Sequence, residues 1–334
     1  MTTTDSPPVE VHLTPSDLAA ALAHDVRVGL TSDPKWLPAK WLYDEHGCEL
    51  FEAITELPEY YPTRAERAVL QAHAGEIAAE APATTLIELG SGTSEKTRLL
   101  IAALEAGGSL QRFVAFDVAE PTLRAAVSEL SSAHERLAIE GVVGDFERHL
   151  DRLPKGPDRM VAFLGGTLGN FDEPNRLRFF STMASALEPG EWILLGTDLV
   201  KDPERLLAAY DDASGVTAAF ETNVLAVINH ELGADFDLDR FDYVARWNAN
   251  LERIEMGVRS NGPQSVHIPA LDMKLELADG EEISTEVSAK FRRVGVSREL
   301  AAHGFDLVGW WTDPRGEFAV SCARRTTMSD SVAQ

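Results

Sequence analysis

Between Thr84 and Leu199 short apolar runs alternate with longer amphipathic segments. The runs are Thr85-Leu86-Ile87-Glu88-Leu89, Phe113-Val114-Ala115-Phe116-Asp117, Ala138-Ile139-Glu140-Gly141-Val142-Val143, Met160-Val161-Ala162-Phe163-Leu164 and Trp192-Ile193-Leu194-Leu195. Such short apolar runs read as strands buried on both faces, as parallel sheets require. The segments between them carry helical spacing, for example Leu99, Leu100, Ala103 and Leu104. This βαβαβ order predicts an α/β domain with a Rossmann-like, doubly wound sheet. Nearer the C-terminus, Phe305 to Trp311 and Phe318 to Cys322 are joined through Asp313-Pro314-Arg315-Gly316, a hairpin-like connection that closes the sheet edge.

The stretch from Lys201 to Glu286 interrupts this pattern. It opens with a helical segment containing Tyr210, then Ile254, Met256 and Val258 alternate with polar or small residues, as do Met273, Leu275 and Leu277. Asp279-Gly280 is a short-range hairpin signal. A second, mixed α/β domain follows from this. The segment Thr14 to Thr63 begins with an amphipathic helix behind a Thr14/Ser16/Asp17 cap and ends in Pro58-Glu59-Tyr60-Tyr61-Pro62. The expected organisation is a discontinuous substrate-binding domain at 14–63 and 201–286, a cofactor-binding domain at 64–200 and 287–325, and flexible tails at 1–13 and 326–334. No period of 20 to 50 residues suggests a repeat architecture.

A formal charge of -24 repels phosphate backbones and anionic lipid, so neither nucleic acid nor a membrane surface is an expected partner. Met1 to Glu10 lacks the basic and apolar regions of a signal peptide, and no apolar run approaches the roughly 18 residues that span a bilayer. Cys48 and Cys322 lie far apart with no metal-type or CxxC spacing, which fits a reducing compartment. A cytoplasmic monomer acting on a small molecule without a metal is the expectation. The nine histidines form no HExxH pattern. Asp235, Asp237 and Asp239 mimic the start of a calcium loop, but Arg240 stands where the turn glycine is required and Arg246 where the closing glutamate is.

Glu88-Leu89-Gly90-Ser91-Gly92-Thr93 follows the first strand and leads into a helix, where a glycine turn lets backbone approach a nucleotide cofactor. Asp117 ends the second strand and can accept from both hydroxyls of a ribose. Asp145 ends the third in Gly144-Asp145-Phe146, where the carboxylate suits an adenine amino group and Phe146 the ring face. Glu95 occupies the position of the third glycine of the dinucleotide fingerprint. A pyrophosphate disfavours a carboxylate there, whereas S-adenosylmethionine has no phosphate. Methyl transfer is therefore favoured over nicotinamide chemistry. After the fourth strand comes Gly165-Gly166-Thr167-Leu168-Gly169-Asn170, and Asn170 offers both donor and acceptor to an amino acid.

The runs Leu57-Pro58-Glu59-Tyr60-Tyr61-Pro62-Thr63-Arg64, Glu88 to Thr97, Gly196-Thr197-Asp198-Leu199-Val200-Lys201-Asp202, Thr285-Glu286-Val287-Ser288 and Trp310-Trp311-Thr312-Asp313-Pro314 closely resemble the histidine-specific methyltransferases, the L-histidine Nα-methyltransferases of ergothioneine biosynthesis. The resemblance extends from about Leu18 to Arg324. It implies a class I methyltransferase sheet and three successive methyl transfers from S-adenosylmethionine to the α-amino nitrogen of histidine, giving hercynine, with S-adenosylhomocysteine as by-product.

Carried onto matching positions, Gly90, Ser91, Lys96, Asp117, Asp145 and Phe146 are implied as cofactor contacts. Tyr43, Phe51, Gly165, Asn170 and Tyr210 are implied around the amino and carboxylate groups, with Asn170 and the Gly165 carbonyl orienting the nitrogen and Tyr43 as a hydrogen-bond partner. Tyr60, Met256, Glu286 and Ser288 are implied as the imidazole pocket. Strand geometry agrees with the last assignment: residues two apart project from one face, so Glu286 and Ser288 can address the two ring nitrogens together while Met256 offers a soft apolar wall.

Read alone, Tyr60 and Tyr210 are ordinary half-buried tyrosines, Met256 is a core residue beside Ile254 and Val258, and Glu286 is a solvated charge. Two positions depart from the family pattern: Gly166 stands where serine is common and is expected to loosen the loop carrying Asn170, and Ala289 stands where cysteine is often seen. A methyltransferase for another amine and a non-catalytic adenosylmethionine-binding module are the competing readings.

Overall fold

The computed structural model describes residues 7–327. In chain order the elements are β1 (Val9–Val11), α1 (Pro15–Thr31), β2 (Lys35–Trp36), α2 (Glu45–Glu56), α3 (Pro62–Glu80), β3 (Thr85–Leu89), α4 (Thr97–Ala106) and β4 (Arg112–Asp117). They continue with α5 (Glu120–Ala133), β5 (Ala138–Val143), β6 (Arg159–Phe163), α6 (Glu173–Ala186), β7 (Trp192–Asp198), α7 (Pro203–Tyr210) and α8 (Val216–Leu232). The remainder is β8 (Phe241–Asn248), β9 (Arg253–Ser260), β10 (Gln264–Ile268), β11 (Met273–Leu277), β12 (Glu282–Ala289), α9 (Arg293–Ala302), β13 (Phe305–Thr312) and β14 (Phe318–Arg325). The chain divides into two compact units: one takes in the chain up to Leu13, Arg64–Leu199 and the chain from Phe291, the other Thr14–Thr63 and Val200–Lys290.

The first unit is built on an eight-stranded sheet in the order β1-β5-β4-β3-β6-β7-β14-β13. Its strands are parallel except β14, which runs against both β7 and β13. Every residue of β3, β6 and β7 is buried, as two-sided helix cover demands. Phe113, Phe116 and Phe163, with Leu86 and Ile87, are among the largest fully buried side chains. The connections from β3 lead outward to β4 and β5 on one side and to β6 and β7 on the other, so the strand order reverses between β3 and β6. Open α/β sheets bind ligands at the carboxyl ends of the strands flanking such a reversal.

Asp313 makes the closing hairpin. Its carboxylate, 6% exposed, accepts the backbone N–H groups of Arg315 (3.0 Å), Glu317 (2.7 Å) and Phe318 (2.8 Å). Val9–Val11, expected in a flexible tail, instead pairs in parallel with Gly141–Val143 at the sheet edge. A three-residue edge strand with Glu at its centre carries too little periodicity to stand out. The rest of the predicted tails, residues 1–6 and 328–334, lies outside the described residues.

The second unit contains a four-stranded sheet, β2-β12-β9-β8, and the separate pair β10-β11. Its first helix, α1, starts at a capping box: Asp17 N–H donates to the Thr14 hydroxyl at 3.2 Å and Thr14 N–H to the Asp17 carboxylate at 2.9 Å. The hairpin expected at Asp279-Gly280 does not form. Gly280 does turn the chain at φ +76, but β11 pairs with β10 and β12 with β9, so the turn switches sheets. Between Ser284 and Glu286 the β12–β9 register shifts, and a Cβ on Gly257 would meet the Ile283 carbonyl at 2.6 Å, so only glycine fits beneath the irregularity. Beyond it Glu286 lies opposite Met256 and Ser288 opposite Ile254.

Asp313→Ala strips three backbone N–H groups, that of buried Phe318 among them, of their acceptor, and is expected to lower unfolding free energy by about 1–3 kcal/mol in urea titration. An effect below about 0.5 kcal/mol would show that the hairpin closes without it.

Candidate functional site

The carboxyl ends of β3 to β6 in the first unit carry the expected cofactor residues. Gly90 (φ +65) and Gly92 (φ +48) take left-handed conformations that side chains resist. Gly90 N–H donates to the Phe116 carbonyl at 2.8 Å, and the Asp117 carboxylate accepts the Gly92 and Ala119 N–H groups, each at 2.9 Å. One acid thus ties the glycine turn to the start of α5. Each of its oxygens has a second lone pair, enough to take a pair of ribose hydroxyls. Burial pushes the Asp117 carboxyl above its ordinary range while the backbone donors pull it back. Asp145, 7% exposed, accepts the Glu147 N–H at 2.8 Å. The Phe146 ring stands edge-on to Phe163 at 5.2 Å and comes within 3.9 Å of where a Cβ on Gly90 would sit. Ser91 Oγ is buried without a hydrogen-bond partner among the described residues. An orphaned hydroxyl in a glycine turn flanked by strand-end acids fits an adenosine-bearing cofactor.

Glu66, on α3, is a part of this edge that sequence reasoning missed. It is 1% exposed, pairs with Lys96 Nζ, and accepts the Gly165 N–H at 2.8 and 3.0 Å. A Cβ on Gly196 would lie 2.1 Å from Glu66 Oε1, so β7 can pass only as glycine. Lys96, expected at the cofactor, is therefore held by Glu66. Gly165 (φ +77) and Gly166 (φ +73) are consecutive left-handed residues leading to Asn170, and a glycine at 166 suits that backbone without strain. Glu88 lies beneath the same turn and accepts the Thr97 and Ser94 hydroxyls. Burial pushes it up to about 7, against those two hydrogen bonds and the Lys96 charge. Glu95 is exposed and pairs with Arg67 at 3.1 Å.

In the second unit Phe51, Tyr60, Tyr210, Met256 and Glu286, assigned from the sequence to the amino acid, line one cavity. Phe220 and Glu221 of α8, which sequence reasoning did not name, complete its wall. The rings pack edge to face: Phe51 against Tyr60 at 6.3 Å, and Tyr60 against Tyr210 at 5.9 Å. Tyr43 stands behind them, edge-on to Phe51 at 5.5 Å and to Phe220 at 5.2 Å. Burial first, then the Glu286 charge, holds its phenol well above the ordinary range, so it keeps its proton at neutral pH and serves as a donor.

Ser288 is not in the cavity wall. Its hydroxyl is covered by the Tyr210 hydroxyl at 2.9 Å and the Lys290 ammonium at 2.7 Å. Lys290 is a further residue the sequence did not betray: it is 4% exposed, donates to Tyr210 Oη at 2.8 Å and sits 4.3 Å over that ring. Glu286 is pushed up to about 7 by burial, with Glu221 and the Lys290 cation pulling it down. Glu221 is held well above the ordinary range by burial, then by the Glu286 charge. The two carboxyls line one cavity, and burial pushes both upward, so the pair favours holding a proton.

Among the described residues no group of three or more His, Cys, Asp or Glu side chains is placed to hold a metal ion, and no helix is long and apolar enough to cross a membrane. A family model described as histidine-specific methyltransferase, SAM-dependent, matches residues 22–325. The Histidine N-alpha-methyltransferase of Mycolicibacterium smegmatis is 52% identical over 314 residues, covering 94% of this chain and 98% of that protein. The protein of the same name from Mycobacterium tuberculosis is 52% identical over 305 residues, covering 91% and 95%. Ergothioneine biosynthesis protein 1 of Neurospora crassa is 29% identical over 310 residues, which is 90% of this chain and 34% of that one.

The Glu286 shift fixes a sign. Its folded-state pKa, about 7, lies above the ordinary glutamate value of 4.5, so the folded state holds the proton more tightly than the unfolded one. The associated stability is full below about 4.5 and is lost as pH rises through about 7. Without ligand, Glu286→Gln is therefore expected to raise the unfolding free energy relative to the wild type at pH 8, by at most about 3 kcal/mol, with Tm rising accordingly, and to leave both nearly unchanged near pH 5. A Tm difference independent of pH would contradict the assignment.

Proposed function

The chain belongs to the histidine-specific, S-adenosylmethionine-dependent methyltransferase family, and on that footing we propose that it transfers three methyl groups to the α-amino nitrogen of L-histidine. The product is then hercynine, with S-adenosylhomocysteine released at each transfer, and the reaction opens ergothioneine biosynthesis. The observation that carries this reading is the second-unit cavity. Glu286 and Met256 face each other across adjacent strands, and Phe51, Tyr60, Tyr210 and Phe220 wall the space in front of them. An acid at one side of a small aromatic box suits a flat ring that bears an N–H.

When bound, adenosylmethionine supplies a methyl on a sulfonium, so a nitrogen–carbon bond forms as the carbon–sulfur bond breaks and sulfur leaves as a neutral thioether. Asp117, Asp145, Phe146 and the Gly90-Ser91-Gly92 turn are the residues that would hold it. The rest is alignment and an unprotonated amine. A free α-amino group has a pKa of about 8, so losing its proton costs about 1–2 kcal/mol near neutrality, and no strong base is needed. Tyr43 contributes as a donor or a ring face, since its phenol is held protonated. Asn170 and the Gly165 carbonyl are assigned to orienting the nitrogen on the family resemblance, and the Glu66 contact to Gly165 N–H fixes the start of that loop. After two transfers the nitrogen becomes a quaternary cation with no N–H, and aromatic faces such as Phe51 and Tyr43 suit it.

Incubation with histidine and methyl-labelled adenosylmethionine should yield, by mass spectrometry, histidine carrying three labelled methyl groups; absence of that product would reject the assignment. Glu286→Ala should weaken histidine binding about 10- to 100-fold while leaving cofactor affinity within about threefold, since a hydrogen bond to a charged group contributes about 1.5–3 kcal/mol. Equal loss of both ligands would remove Glu286 from the ring pocket. Tyr43→Phe should cut kcat by roughly tenfold without moving the pH dependence of the rate between pH 6 and 9. Loss of the rise in rate with increasing pH would mean the phenol acts as a base.

A further inference from the structure

Glu221 belongs to the middle of α8, a helix interior in which Phe220, Val224, Leu225 and Ile228 are also buried. It is 0% exposed, yet it lines the ring cavity beside Glu286. One of its oxygens, Oε2, accepts the Thr285 hydroxyl. The other, Oε1, is buried and meets no donor among the described residues. The Glu286 carboxyl stands beside it in the wall of the same cavity. Two carboxylates so placed repel, and a carboxylate oxygen taken out of water without a donor is costly. A single proton between them resolves both problems.

On the histidine reading, we propose that Glu221 is a positioning residue of the ring pocket: it stays protonated, donates to Glu286, and so leaves the Glu286 carboxylate as an oriented acceptor for the N–H of a neutral imidazole. Thr285 fixes which oxygen of Glu221 bears the proton, because its hydroxyl already occupies Oε2. The charge balance agrees. One carboxylate charge remains in the pair, and the buried Lys290 ammonium on the same strand end acts on Glu286 with the opposite sign. A neutral ring preserves that balance, whereas a cationic ring would be suited to two ionised carboxylates. Glu221 touches neither the transferring nitrogen nor the methyl group, and its effect belongs to ring selection.

The test is an isostere series read with two ligands. Glu221→Gln keeps the shape, its amide N–H donates to Glu286, and its carbonyl accepts from Thr285. Glu221→Leu removes both interactions. Steady-state methylation of histidine gives KM and kcat, and β-(2-thienyl)alanine, whose ring has no N–H, is titrated as a competitor. The expected result is a histidine KM within about threefold of wild type for Glu221→Gln, and a KM raised about tenfold or more for Glu221→Leu with kcat within about threefold. The inhibition constant of thienylalanine should stay unchanged in both variants. If Glu221→Gln is as damaging to the histidine KM as Glu221→Leu, Glu221 acts as an anion and the ring binds as a cation, which overturns the proposal. If histidine and thienylalanine weaken together, Glu221 only shapes the cavity, and the proposal also fails. A wild-type protein that methylates no histidine would instead refute the functional reading, a separate outcome.

Discussion

A carboxylate withdrawn from water must be met by donors or hold a proton, and the architecture at both ligand-binding regions follows from how that demand is met. Glu66 is met by a lysine and a backbone N–H, which ties the loop after β6 to the loop after β3 through one helix residue. Asp117 is met by two backbone N–H groups and pins the glycine turn. Glu88 is met by two hydroxyls and remains poised near 7. Glu221 finds one hydroxyl and another acid, and that shortage of donors leaves a proton in the ring pocket.

Close packing around these acids fixes residues that carry no chemistry. Gly196 has no side chain because Glu66 Oε1 occupies the space. Gly257 has none because the irregularity in β12 brings the Ile283 carbonyl against it, and that same irregularity turns Thr285 toward Glu221 and Glu286 toward Met256. The hydroxyls of Tyr210 and Ser288 are joined under the Lys290 ammonium, while Tyr243 donates to the Tyr210 carbonyl at 2.6 Å. The aromatic wall is thereby fixed by hydrogen bonds on its far side as well as by ring contacts.

The sheet was legible in the sequence because strands buried on both faces leave an unmistakable apolar run, and the Gly90-Ser91-Gly92 turn with Asp117 and Asp145 was legible because strand ends are where such chemistry collects. The family resemblance placed Glu286 and Met256 in one pocket, and the β12–β9 register sets them opposite each other. Glu66, Glu221 and Lys290 were not found, since a charged residue is by default assigned to solvent. A helical projection held the missing signal: Glu221 falls on the stripe of Val224, Leu225 and Ile228, and Glu66 sits three and four residues before Val69 and Leu70. The failed hairpin at Asp279-Gly280 has another cause. Turn chemistry specifies a reversal of the chain, but pairing is decided by side-chain contacts that bring β12 to β9.

Unit 1 thus presents strand-end acids and a glycine turn suited to an adenosyl cofactor, and unit 2 an aromatic cavity with a one-proton acid pair suited to imidazole. The most direct measurement is a carboxyl 13C NMR titration of glutamate-labelled protein, with the Glu221 and Glu286 resonances assigned from their glutamine variants, performed without and with saturating histidine. The account predicts a Glu286 midpoint of about 7 in the free protein that moves down when histidine is bound, and a Glu221 resonance that titrates above that of Glu286 in both states. Two carboxyls titrating together near about 4.3, indifferent to histidine, would contradict it.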